Sequence, residues 1–223
     1  MSRLNFVVRN LEVARPREFD ETTALDAAIA CFWHRGYEAT SVRDLADSMG
    51  ISGPSLYNAF GDKRALFVAA LERYLDHSTR ARIGRLEHSL PPKRAVRRFI
   101  EEIVEHSLSD RERRGCFLIN SALEVAPHDR KLGALIADRL GEIEAFFRHS
   151  IEAARADGSV PSDRSPGDLA KLLLGVLLGI RVLARSKPER ALLEGVASPA
   201  LALLDHPHGR SKIRRARAAE RGK

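Results

Sequence analysis

Several residue types that mark common protein classes are scarce in this chain of 223 residues. It has two cysteines, one tryptophan and three tyrosines. Cys31 and Cys116 stand far apart, so no dense disulfide framework supports the fold. The longest apolar run, residues 172–180, is bounded by Lys171 and Arg181 and is too short to span a bilayer. Arg3 and Arg9 interrupt the apolar residues at the start, so no secretory leader is expected there. These features point to a soluble, cytoplasmic protein without membrane attachment. There is no glycine-rich phosphate loop, nucleophile elbow or H-E-x-x-H, and His, Asp and Ser residues are scattered, so neither an enzyme nor a cofactor is expected. His206-Pro207-His208 and His128-Asp129 lack the ligand density of a metal site. No stretch alternates as a strand does, and no internal repeat is visible, which leaves an all-α fold.

What is present is most specific over residues 40–63, T-S-V-R-D-L-A-D-S-M-G-I-S-G-P-S-L-Y-N-A-F-G-D-K. Ser41 and Asp44 form an S-x-x-D box at a helix start. Val42, Leu45 and Met49 then share one face, and Gly50 suits the left-handed end of that helix. Ser52 caps a second helix, and Pro54 is tolerated in its first turn. Leu56 and Phe60 face inward, leaving Gly53, Ser55, Tyr57 and Asn58 outward. Gly61 closes this helix, and Asp62 caps the next, which Lys63 begins. Two short helices around a glycine turn, the second polar on its outer face, have the shape that enters a DNA major groove. Upstream, Leu25, Ala28, Ile29 and Phe32 form a helical stripe ended by Gly36, with Phe19, Trp33 and Tyr37 adding aromatic bulk to a three-helix core.

Residues 18–74 resemble the N-terminal domain of the TetR/AcrR family of bacterial transcriptional regulators. The resemblance is carried by Ala28, Phe32, Gly36, Tyr37, Thr40, Val42, Leu45, Ala46, Gly50, Ile51, Ser52, Leu56, Tyr57, Phe60, Lys63 and Leu66. It implies that the second helix of the pair is the recognition helix and that Thr40, Arg43, Ser52, Ser55, Tyr57, Asn58 and Lys63 meet DNA; Ser41 and Gly53 belong to the same surface. Hydroxyls, helix N-termini and lysine bond phosphate oxygens, and an outward Asn suits bidentate contact with adenine. Thr40 and Ser52 equally suit helix caps, and Asn58 equally suits simple solvation.

Net charge is a poor guide here. Residues 1–80 hold ten Lys/Arg and eleven Asp/Glu, so the candidate DNA unit is nearly neutral. The excess lies in residues 206–223, where Arg210, Lys212, Arg214, Arg215, Arg217, Arg221 and Lys223 face only Glu220. The position of each charge therefore matters more than the sum. Arg15 and Arg17 suit a short arm that enters a minor groove or bridges phosphates. The organisation expected is a flexible basic arm over 1–17, a helix-turn-helix unit over 18–61, a helical regulatory and dimerisation domain over 62–205, and a disordered basic tail over 206–223.

Beyond the helix pair the pattern stays helical. Residues 62–84 read as one connecting helix, and a helix opened by Pro91 and Pro92 aligns Ala95, Phe99, Ile103 and His106. Residues 115–125, apolar almost all round, read as a central buried helix, and residues 131–157 as a longer one. The last two helices, about 166–186 and 188–204, are richer in aliphatics than a one-sided helix requires, and Gly175 and Gly179 permit close approach. A homodimer built through these helices as a four-helix bundle is expected, in agreement with the family resemblance. It would set two recognition helices one DNA turn apart on a palindromic, double-stranded operator.

The resemblance further implies a small-molecule effector bound among the central helices. Candidate lining residues are Phe99, Ile103, His106, Cys116, Phe117, Asn120, Ser121, Glu124, Ile143 and Phe147. Cys116 follows Arg113, Arg114 and Gly115 at a helix start, where cations and the dipole lower a thiol pKa, while Phe117 and Leu118 favour a small core residue instead. The expected function is a dimeric repressor released by an effector. The alternatives are a thiol-based sensor acting through Cys116 and a transcriptional activator.

Overall fold

The structure, a computed structural model, describes residues 19–205. The basic arm with Arg15 and Arg17, the tail and His206-Pro207-His208 lie outside these residues. The described residues form ten α-helices and no strand. None of the helices is long and apolar enough to cross a membrane.

Three helices build the N-terminal unit. Helix α1 (Glu21–Arg35) starts at Asp20, whose carboxylate accepts from the Thr22 and Thr23 amides, and buries Ala24, Ala28 and Phe32. Helices α2 (Val42–Met49) and α3 (Gly53–Phe60) follow. Helix α4 (Lys63–Leu75) buries Leu66, Phe67, Ala70, Leu71 and Leu75 and packs back along α1.

The expected connecting helix over 62–84 is longer than the sequence pattern suggested, and it is interrupted. A π-helical turn at Asp76–Arg80 separates α4 from α5 (Ala81–Ser89). Side chains occupy the backbone acceptors just before this turn: Ser78 Oγ donates to Tyr74 O (2.6 Å), and His77 Nδ1 lies 2.9 Å from Arg73 O. Arg80 then ties the turn to α8. Its guanidinium holds both oxygens of Glu142 at 2.9 Å and reaches Glu72 and Asp76 at 2.8 Å. Charge-assisted bonds to three carboxylates fix this irregular turn where apolar periodicity alone would have continued a plain helix.

The remaining helices form the second unit. They are α6 (Pro92–Ser109), α7 (Phe117–Glu124), α8 (Arg130–Ala156), α9 (Pro166–Ser186) and α10 (Arg190–Ala202). Helix α8 packs along α9 and α6, and α10 closes against α9 and α6. Helix α7 is shorter and less enclosed than expected. Phe117, Leu118, Ile119 and Ser121 are buried, but Leu123 is exposed, and Asn120 and Glu124 turn toward α1. Helix α10 starts two residues later than its pattern suggested, because Glu189 takes the extended capping position after Pro188.

Aromatic rings join the two units. Phe67 of α4 meets Phe32 at 5.3 Å, Tyr37 at 4.8 Å and Phe117 of α7 at 5.5 Å between centroids. Tyr74 packs on Trp33 at 5.0 Å and on Phe117 at 5.6 Å. These edge-to-face contacts add to the burial of the rings themselves. Phe67→Ala, which empties a site shared by both units, is expected to cost about 3–5 kcal/mol, read as a shift in the urea unfolding midpoint.

Candidate nucleic-acid interface

The helix pair is specified residue by residue. Ser41 Oγ accepts from the Asp44 amide at 3.1 Å, and the Ser41 amide donates to Asp44 Oδ2 at 2.9 Å, a reciprocal capping box. Arg35 of α1 also pairs with Asp44. Bonds from the Ser41 hydroxyl and amide, then from Arg35, hold the Asp44 carboxyl down at about 2 from an ordinary 3.8. Leu45, Ala46 and Met49 seat α2 on the core, and Gly50 turns the chain in the left-handed region at φ 66°. Ser52 Oγ accepts from the Ser55 amide at 3.2 Å to start α3. Leu56 alone is fully buried along this eight-residue helix.

The outward face of α3 carries the groups expected there. Tyr57 is 53% exposed, Asn58 is exposed, and Ser52 and Ser55 share a 2.8 Å hydroxyl contact at the helix start. A Cβ added at Gly53 would meet no protein atom within 4 Å, so the space before the first turn is open. On α2, Arg43 projects into solvent with only a 3.9 Å approach to Asp47. Ser41 is exposed but engaged in its capping box. Lys63 begins α4 with its ammonium 4.4 Å above the Tyr37 ring. Thr40 departs from expectation. It is 0% exposed, and its hydroxyl donates to Gly36 O at 2.6 Å, so it braces the loop and presents no group at the surface.

That loop is also held from the second unit. Glu124 Oε1 accepts from the Glu38 amide at 3.0 Å. A Cβ at Gly36, where φ is +85°, would lie 2.6 Å from the same carboxylate oxygen. The backbone conformation there favours glycine, and any larger residue would also displace the Glu124 carboxylate. Trp33 Nε1 donates to Arg114 O at 3.3 Å, and the Arg114 guanidinium lies 4.7 Å from the Trp33 ring centroid. Asn120 Nδ2 donates to the same carbonyl at 2.8 Å, while its Oδ1 accepts from Arg185 of α9 at 3.2 Å. Arg64 of α4 pairs with Asp129, the cap of α8, at 2.7 Å. Backbone and side chains around the helix pair are thus tied to α7, α8 and α9.

The ten residues expected to line one central pocket do not come together. Phe117, Asn120, Ser121 and Glu124 line a cleft of about 300 Å³ between α1 and α7, with Trp33, Tyr37 and Arg185. Phe99 and Phe147, 5.3 Å apart, are packed core with Ile103 and Ile143. Helical periodicity marks such positions as inward, and Phe146 packs against both rings. His106 falls on the exposed side of α6. Cys116 is buried at the start of α7, where the Tyr74 hydroxyl points at Sγ from 3.6 Å. Trp33, Arg114 and Arg185 were missed as site residues. Their partners lie 65 to 81 positions away, and no local spacing reports such pairs. Among the described residues no group of three or more His, Cys, Asp or Glu could hold a metal.

Residues 24–70 match the family model "Bacterial regulatory proteins, tetR family", and residues 92–198 match "Tetracyclin repressor-like, C-terminal domain". The chain is 34% identical over 195 residues to the uncharacterized HTH-type transcriptional regulator YezE of Bacillus subtilis (strain 168), covering 86% of this chain and 100% of the relative. It is 30% identical over 192 residues to the HTH-type transcriptional repressor ComR of Escherichia coli (strain K12), covering 85% and 90%. Its structure is similar, with TM-score 0.76 and 36% identity, to a cysteine mutant of the TetR family transcriptional regulator CifR complexed with 26-bp double-strand operator DNA. That match covers 84% of this chain and 98% of the other.

The capping box carries a pH signature. The folded Asp44 carboxyl titrates near 2, below its ordinary 3.8, so its contribution is present above about pH 4 and lost as pH falls toward 2. Asp44→Asn is expected to lower the melting temperature at pH 6, with the gap from wild type narrowing as the pH approaches 2 in a calorimetric series.

Proposed function

This chain belongs to the tetR family of bacterial regulatory proteins, and we propose that it is a repressor that binds a palindromic operator as a homodimer and is released by a small-molecule effector. The observation that carries the DNA reading is the asymmetry of α3. Leu56 anchors one side, while Tyr57, Asn58 and the open backbone at Gly53 occupy the other. A short helix with a single deep anchor and a polar outer face can enter a groove without exposing its core. The name of ComR and the operator complex of CifR support this reading. Arg43, Ser52, Ser55 and Lys63 are assigned to phosphate contact, and Asn58 to a base edge.

The dimer assignment rests on α9. Leu172 is 42% exposed and Val182 45% exposed, with Gly175 and Gly179 between them at helical spacing. A Cβ at either glycine would meet nothing within 4 Å in the single chain. An apolar stripe with glycines at its centre suits a second copy of the same helix at close approach. Effector control then runs through the contacts of Glu124, Arg114 and Asp129 with the helix pair. An effector acts only through its difference in affinity for two arrangements of these contacts.

Two experiments test the reading. The full-length protein is used to select duplexes from a random DNA pool, and affinity for the selected site is measured by fluorescence anisotropy across salt. Affinity should fall steeply with salt, as phosphate contacts require. Gly53→Ala should melt at or above the wild-type temperature yet bind the site more weakly. Asn58→Ala should cost about 1–3 kcal/mol and relax preference at one base position. Wild-type affinity in both variants would refute α3 as the reading helix. Separately, Leu172→Glu with Val182→Glu should sediment as a monomer and lose operator binding; an unchanged dimer would remove α9 from the interface.

A further inference from the structure

We propose that the helical bundle holds a small organic carboxylate as effector, paired with the Arg181 guanidinium beside Ser107; this rests on the effector-responsive reading above and names the chemistry of the effector. Arg181 lies in the middle of α9 and is only 5% exposed. Its NH1 donates to Ser107 Oγ of α6, itself buried, at 3.3 Å. Its Nε is buried and meets no hydrogen-bond acceptor of the protein. No carboxylate among the described residues forms an ion pair with it. Arginine is almost never fully buried unless paired, because moving a guanidinium out of water without a counter-charge is strongly unfavourable.

The surroundings make the shortage of negative charge sharper. Arg82 of α5 is also largely enclosed, and its guanidinium is pushed below its ordinary range first by burial and then by the charge of Arg181. The carboxylate available to Arg82 is Glu102, at 3.2 Å. Glu102 also accepts from Arg85 at 2.6 Å and from Arg98 at 3.1 Å, and Arg98 approaches Glu101 at 3.8 Å as well, so Arg82 shares its carboxylate with two further cations. Tyr74, whose ionisation also responds to Arg181, is pushed up, above all by burial, so it remains a neutral hydroxyl donor. Between α6 and α9 the Arg181 Nε–H is thus left without an acceptor and its charge without a carboxylate.

An anion supplies what is missing, and the buried side chains of this part of the core, Phe99, Ile103 and Ile180 among them, are apolar and suit one with an apolar body. The Arg82 guanidinium lies 5.7 Å from the Phe99 ring centroid, and Tyr74 packs edge-on against Phe117 at 5.6 Å. A carboxylate fits a guanidinium fork in plane with two parallel N–H···O bonds. Bound there, it would join α9, which carries the proposed dimer stripe, to α6 and to the α4 end that supports the helix pair. An effector at this point can act on both.

The test uses the full-length protein without DNA, with benzoate and butyrate as probes and benzamide and butyramide as uncharged counterparts, at constant ionic strength. Wild type should gain about 2–4 °C in melting temperature with the carboxylates at tens of millimolar and nothing with the amides. Arg181→Met, which replaces an unpaired buried cation by an apolar chain of similar length, should melt higher than wild type in chloride and show no response to carboxylate. The proposal is overturned if carboxylates and amides act alike on wild type, or if Arg181→Met melts lower than wild type, as loss of a satisfied structural arginine would require. Anisotropy on the selected operator forms a second arm. Carboxylate should lower wild-type affinity and leave Arg181→Met unchanged, and binding without any change in operator affinity also overturns the effector assignment. A wild type that binds no operator at all would instead sink the regulatory reading, with the melting data still standing.

Discussion

Phe67 is the contact on which the rest of the molecule turns. It projects from the second turn of α4 into a pile of rings supplied by α1, the following loop and α7. The same side chain therefore completes the small core behind the helix pair and the edge of the larger bundle. A three-helix unit of this size has little apolar area to bury on its own, and sharing a core with a neighbour stabilises both. It also means that a change in the packing of α7 cannot leave α1 and α4 unaffected.

Polar contacts around that pile make the junction directional. Glu124 holds the Gly36–Glu38 backbone, Trp33 and Asn120 share the Arg114 carbonyl, and Arg64 meets Asp129. Together they join α1, the loop after it and the start of α4 to α7, the loop before it and the cap of α8. Hydrogen bonds of this kind have narrow geometry, so they oppose sliding where ring contacts alone would tolerate it. The π-helical turn at Asp76–Arg80 adds a second constraint, since Arg80 fixes the end of α4 to α8 through Glu142. Helix α8 is thereby tied to both ends of α4, through Arg64 and Asp129 at its start and through Arg80 and Glu142 beyond its end.

Charge is arranged differently in the two units. Around the helix pair, cations are paired or solvated, and the described part of that unit owes its DNA-facing character to placement. In the bundle, cations converge on Glu102, and Arg181 is enclosed without a carboxylate. Networks of this kind usually close on themselves. This one does not, and the imbalance lies where α6 and α9 meet.

Much of the site was legible in the chain itself because its signals are local. The Ser41–Asp44 box, the turn at Gly50, the cap at Ser52 and the inward Leu56 each depend on residues within four positions, and local hydrogen bonds decide them. The helix boundaries set by Pro166 and Gly36 are of the same kind. Thr40 shows the limit: its hydroxyl suits a phosphate contact or a local bond equally, and only the path of the loop turns it onto Gly36 O. Which of the lining candidates share a cavity was open in the sequence for a related reason. Periodicity states that Phe99, Ile103, Ile143 and Phe147 face inward, but whether inward means a cavity or close packing depends on how α6 and α8 meet. The clasp of Glu124 on Gly36, the bond between Trp33 and Arg114 and the isolation of Arg181 join or separate residues tens of positions apart. Such pairings have no period to read, so the tertiary structure alone decided them.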